Sequence, residues 1–184
     1  GDAKYWRTLQ IAMRANHPEV NYEGLDDYLR KEEKENNERA FKLIREIEIT
    51  YLKVKIKEKL EEEFGKSWFK KGVPEKIYTE ATLLAAKKNR EIEDEDDEKD
   101  PWDQLHLIDY REIVLKSWQK LFESHYTKPG EEKIQGGKEA KTKWMVELNR
   151  IRNENDHTYY VTSEELSFIE EIHDWLMKKY FNAI

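Results

Sequence analysis

Arg152, Asn153 and His157 are the residues whose types and spacing suit chemistry best. On a helix, positions 153 and 157 lie four apart and share a face, with 152 beside them. His157 falls where Thr158-Tyr159-Tyr160-Val161 breaks helical preference, so a planar cation, a polar amide and an imidazole are expected at one helix end. An unperturbed imidazole titrates near ~6.5 and serves as base or acid at neutral pH. A guanidinium offers a fixed fork of donors that matches phosphate oxygens. These groups suit cleavage of RNA, in which the ribose 2′-OH attacks its own phosphorus. That reaction needs a base for the hydroxyl proton, an acid for the leaving 5′-oxygen and positive charge for the phosphorane. It calls for no metal and no cofactor. The same spacing also fits a structural role, because cations near a helix C-terminus complement its dipole. From spacing alone the structural role is favoured.

Local charge bears on the choice. Between residues 138 and 152, Lys138, Lys141, Lys143, Arg150 and Arg152 outnumber Glu139 and Glu147, a local excess of three positive charges in a chain of formal charge −7. Lys141, Lys143 and Arg150 are therefore the candidate RNA-phosphate contacts. The overall sign argues against broad nucleic-acid binding driven by net charge and leaves a local basic site open.

The elements that must position these groups are helical. Gly and Pro are few, at 7 and 4 of 184 residues, and the common residues favour helix. The apolar share is only 38%, but 6 Trp, 10 Tyr and 6 Phe supply large buriable surfaces, which argues against disorder throughout. A short amphipathic helix is expected over 3–15, with Trp6, Leu9 and Met13 at helical spacing. Residues 22–37 carry Tyr22, Leu25, Tyr28 and Leu29 and then a solvated run. Residues 1–38 thus read as an N-terminal helical arm or the tail of an upstream domain, and 39–184 as a helical bundle.

Within the bundle, residues 39–63 form a helix with two apolar stripes, Ile44, Ile47, Tyr51, Val54 and Ile49, Leu52, Ile56, Leu60, ended by Gly65. A second runs from Pro74 to about Asn89 with Ile77, Ala81 and Leu84 inward. The acidic segment 91–100 is a loop, and strand character is confined to Leu105–Ile108. A third helix starts near Asp109 as N-cap, with Tyr110, Ile113, Val114, Trp118, Leu121 and Phe122 along its stripe. A glycine-containing loop over 127–137 follows, then a fourth helix from Lys138 to Asn153 with Trp144, Met145, Leu148 and Ile151 inward. Thr162 and Glu165 make a capping box for the last helix. The fold class is all-α, a bundle of four to five helices.

With those elements in view, the stretch WMVELNRIRNENDHTYYVTSEELSFIEEIHDWL, residues 144–175, resembles the end of a HEPN domain. Members of that superfamily are helical bundles with an R-x(4–6)-H motif, often with a polar residue after the arginine, the place Asn153 occupies. The resemblance covers roughly residues 40–180 and is sharpest in the last forty or so. It implies a metal-independent endoribonuclease, usually a homodimer in which two motifs face one cleft. His157 would be the acid/base residue, Arg152 would hold the scissile phosphate, and Asn153 would orient or polarise. One histidine and one arginine per chain do not easily supply a separate base and acid; two chains do. Asp156 stands before the histidine, where many members carry a small or apolar residue; its carboxylate either holds the imidazole or repels a phosphate. Similar domains end larger proteins, among them bacterial defence and restriction factors and RNA-processing enzymes. Others of the superfamily have lost catalysis and act in dimerisation, RNA binding or antitoxin-like regulation. The expected partners are RNA, a second copy and other domains of a longer parent protein.

Other candidates are weaker. Gly65-Lys66-Ser67 follows a helix and lacks the earlier glycine of a phosphate-binding loop. The acidic run has no glycine where a calcium loop turns. His106, His125 and His173 stand singly, so no metal site is expected. Trp68, Phe69, Trp102 and Trp118 are better placed as core than as base-stacking platforms. The chain has no cysteine, so a reducing, cytoplasmic setting is the easy fit. No apolar run approaches the ~20 residues that span a bilayer. Gly1-Asp2-Ala3 resembles neither a secretion signal nor a natural start, so a piece of a longer protein is expected.

Overall fold

The computed structural model describes residues 2–17, 24–154 and 160–181, and among these every regular element is a helix. The first, α1, spans Asp2–Asn16 and half-buries Leu9 and Met13 as their spacing predicts; the side chain of Trp6 lies outside the described residues, as does Tyr22. Helix α2 runs without a break over 25–64, through the expected arm–bundle boundary at 38/39. It is built as Leu25–Glu46, wide π-helical turns at Ile47–Val54, and Lys55–Phe64.

Those wide turns correct the expected periodicity. A spacing of 3.6 residues brings Ile49 and Val54 inward, but they are 40% and 43% exposed. Where hydrogen bonds run i→i+5, the turn is wider, and Leu52 follows Ile47 onto the same face with Tyr51 buried beside it. One buried stripe results instead of two: Leu43, Ile44, Ile47, Tyr51, Leu52, Ile56 and Leu60. Gly65 ends α2 at φ +60°, ψ −136°, a conformation that only glycine adopts readily. The chain then turns into the short α3, Trp68–Gly72. A Cβ on Gly72 would sit 2.6 Å from the buried Leu60 Cδ2, so the glycine lets α3 lie close on α2.

Helix α4, Glu75–Asn89, follows Pro74. Ile77 and Ala81 point inward as expected; Leu84 is exposed and Ala85 takes the inner position. The acidic loop is solvated and is clasped at its far end by Asn89. The Lys99 N–H donates to Asn89 Oδ1 (2.5 Å) and Asn89 Nδ2 donates to the Lys99 carbonyl (3.0 Å). Residues 105–108 are not a strand. Helix α5, Leu107–Lys116, begins there. Asp109 works from inside its first turn, accepting the His106 N–H at 2.7 Å, rather than as N-cap. Ser117 leaves helical geometry, and α6 (118–126) continues the apolar stripe through π-helical turns at Trp118–Phe122. The expected fourth helix is likewise in two parts, α7 (Gly137–Lys141) and α8 (Lys143–Glu154), joined at the fully buried Thr142. The last helix, α9 (Ser163–Phe181), opens on the predicted capping box. The Thr162 N–H donates to Glu165 Oε1 (3.0 Å) and the Glu165 N–H to Thr162 Oγ1 (3.1 Å).

Helix α9 packs along α2, and α8 packs against α5, α2 and α9. Trp144, Met145, Leu148 and Ile151 anchor α8 in the core, each removal of such a side chain from water being worth roughly 1.5–3 kcal/mol. Two polar groups inside are tied to main chain. The Tyr126 hydroxyl donates to the Tyr51 carbonyl (2.7 Å), and Trp144 Nε1 donates to the Tyr126 carbonyl (3.1 Å).

Candidate functional site at the C-terminal end of α8

Burial of Ile151 fixes where the next side chain emerges. Arg152 leaves the core edge 37% exposed and meets Glu48 of the π-helical part of α2, with Nε 3.4 Å from Oε2. Glu48 is the more enclosed partner, its side chain 15% exposed. Buried Tyr110 of α5 lies within electrostatic reach of both. Burial pushes its hydroxyl well above the ordinary tyrosine range, and Glu48, Asp103 and Asp109 push the same way while Arg152 opposes them. Further along α2, Lys53 pairs with Asp103 at 2.6 Å. The end of α8 therefore meets α2 and α5 in a small cluster of three carboxylates and two cations, with one guanidinium at its rim.

Asn153 follows Arg152 and is exposed. His157, together with Asp156, lies outside the described residues. Arg152 and Asn153 are thus brought to one helix end as their sequence predicts, and the geometry between Arg152 and His157 is not among the described contacts.

The candidate phosphate contacts do not form one patch with them. Arg150 Nη2 lies 3.2 Å from Glu147 Oε2 and 3.3 Å from Glu165 Oε2, so its charge is shared by two carboxylates. Lys141 ends α7, beyond the other end of α8, roughly 15 Å away at 1.5 Å per residue. Its side chain is only 12% exposed and pairs with Glu123 at 3.0 Å. Lys143 is exposed at the start of α8. The local charge excess read along the chain is split by the helix into separate surroundings.

The single histidines stay single. His106 is exposed; His125 is half-buried and stacked on Tyr180 at 6.0 Å, and burial lowers its pKa. His173 is buried beside Glu46, with Nε2 3.3 Å from Oε2. Among the described residues no group of three or more side chains could hold a metal ion. The aromatics are core: Trp68 meets Trp102 edge-on at 5.2 Å, and Trp102 meets Tyr110 at 5.5 Å. Among the described residues no helix is long and apolar enough to cross a membrane.

Sequence inspection misses Glu48. Its one local signal is a carboxylate set between Ile47 and Ile49 in an otherwise apolar run, and its partner lies in the other half of the chain. No family model, curated protein or solved structure matches the chain.

Proposed function

We propose that this chain is a HEPN-type endoribonuclease domain. It cleaves RNA without a metal, by attack of the ribose 2′-OH, and works as a homodimer in defence or RNA control. The observation that carries this is the Arg152–Glu48 pair. The contact runs through Nε at 3.4 Å, longer than a close hydrogen bond, and the side chain keeps more than a third of its surface in solvent. A guanidinium steadied on one edge and open on another is suited to receive a phosphate with little loss of side-chain freedom. Arg152 holds the scissile phosphate, His157 transfers protons, and Asn153 orients the reacting groups. The second chain's histidine completes the base-and-acid couple. Asn153 and Arg152 sit at the same helix end, which fits the motif's order in sequence.

The test is incubation of the protein with RNA in excess EDTA. The expected products carry 2′,3′-cyclic phosphate ends. Arg152→Ala and His157→Ala each lower the rate by about 100-fold or more with the circular dichroism spectrum unchanged. Cleavage that persists in both variants removes the assignment.

A second function is favoured by the same ion pair. Arg152 to Glu48 and Arg150 to Glu165 tie α8 to α2 and to α9, a structural role that suits a catalytically silent dimerisation or regulatory module. In that case Arg152→Ala lowers the melting temperature and no RNA product forms with the parent protein.

A further inference from the structure

Three adjoining cavities line the side of the bundle at the other end of α8 from Arg152, with volumes of about 470, 260 and 650 Å³. The first and second share Glu123 and Lys141; the second and third share Pro129, Trp175 and Lys179. They form one groove running from α6 and α7 to α9. Seven lysines and four carboxylates line it, an excess of three positive charges on a chain of formal charge −7.

Lys120 pairs with Glu63 outside the groove, which lowers the excess to two, and three other lysines are held in a way that preserves their charge. Lys138 Nζ donates to the Leu115 carbonyl at 3.3 Å, Lys116 Nζ to the Lys71 carbonyl at 2.9 Å, and Lys179 Nζ to the Ser124 carbonyl. A main-chain carbonyl orients an ammonium but, being neutral, does not cancel it. Lys178 is exposed at the far end. Two of the carboxylates are already matched inside the groove, Glu123 by Lys141 (3.0 Å) and Glu171 by Lys128 (3.2 Å). Midway along stands Trp175, partly exposed and braced edge-on against buried Trp144 at 5.4 Å. Fixed ammonium groups spaced along a channel, with an indole among them, match a strand that alternates phosphates and flat bases. No arginine lines the groove among the described residues, so it lacks the forks that read guanine or grip single carboxylates bidentately.

We propose that this groove binds single-stranded RNA along its backbone without sequence preference, with phosphates on Lys138, Lys178 and Lys179 and a base against Trp175. It is separate from the end of α8 and stands whether or not Arg152 takes part in cleavage.

Fluorescence anisotropy with a labelled 2′-O-methyl oligouridylate of roughly 12 nucleotides tests it. The methyl group removes the hydroxyl that would attack, so binding is read apart from cleavage. The parent protein binds at low salt. Lys138→Glu with Lys178→Glu weakens binding by about tenfold or more and lowers the slope of log K against log salt by about 1.4, at about 0.7 per phosphate lost. Trp175→Leu, which keeps the site apolar, weakens binding about fivefold or more through lost stacking. Lys42→Glu with Lys87→Glu, the same change of charge on exposed lysines elsewhere, leaves affinity within about threefold. No binding by the parent at low salt overturns the proposal. So does equal weakening in the groove and control variants, or competition by a polyglutamate peptide as effective as by RNA, which would mark an acidic-protein surface instead. Thermal melts of each variant confirm that the bundle is intact.

Discussion

Glu48 and Arg152 meet at a point where two kinds of residue-level energy compete. An ion pair at a protein surface contributes only about 0.2–1 kcal/mol, because solvent screening and side-chain ordering offset the attraction. Glu48 is the enclosed member, however, so leaving its carboxylate alone costs more than leaving the arginine alone. A double-mutant cycle with Glu48→Gln and Arg152→Ala is expected to give a coupling energy of about 1 kcal/mol in urea denaturation. In a nuclease, Glu48→Gln also frees the guanidinium to wander, so cleavage by that variant falls chiefly in kcat while KM moves little. A coupling near zero would mean that the two groups merely lie near each other. That Arg152 and Asn153 share one helix end was legible because their order and the end of the helix are local properties. Glu48 was not, because its partner is set by how α2 and α8 cross, and nothing short-range encodes that crossing.

At the scale of elements, most helices were legible because their signals are local: Gly65 as a stop, Pro74 before α4, and Thr162 with Glu165 as a box before α9. The inner faces of α5, α6 and α8 followed from apolar spacing. Three features did not. The wide turns of α2 alter the period itself, and neither Ser117 nor Thr142 is the glycine or proline that marks a break in sequence. Thr142 shows how such a break is held. Its hydroxyl donates to the Lys138 carbonyl at 2.8 Å and accepts from Arg111 Nε at 3.1 Å, closing α7 onto α8 and both onto α5. Thr142→Val keeps the shape and removes both bonds at a fully buried position. A loss of about 1–3 kcal/mol is expected in chemical denaturation, with the far-ultraviolet spectrum unchanged. A change below about 0.5 kcal/mol would show that the α7–α8 corner is held by apolar packing alone.

Considered as a whole molecule, the chain separates its charges. Among the described residues, none of the acidic loop after α4 lines the lysine groove beside α6, α7 and α9, so the formal charge of −7 does not describe that groove. Phe41, Ile49 and Val54 of α2 are exposed apolar side chains. If two chains join at the Arg152 end, light scattering gives a mass near twice 22.3 kDa, and the mass halves when association is blocked. A mass that stays at one chain's value at all concentrations removes the two-chain base-and-acid couple. The wide turns of α2 have one more consequence. They act as a phase adjuster, rotating everything upstream by about 100° for each residue of slack they absorb. Loss of a single residue between Ile47 and Val54 would let the helix snap back to ordinary pitch. Leu29, Leu43 and Ile44 would then swing off the interior together, and Glu48 would leave its arginine, so the length of this one segment is as binding a constraint on the protein as any side chain in it.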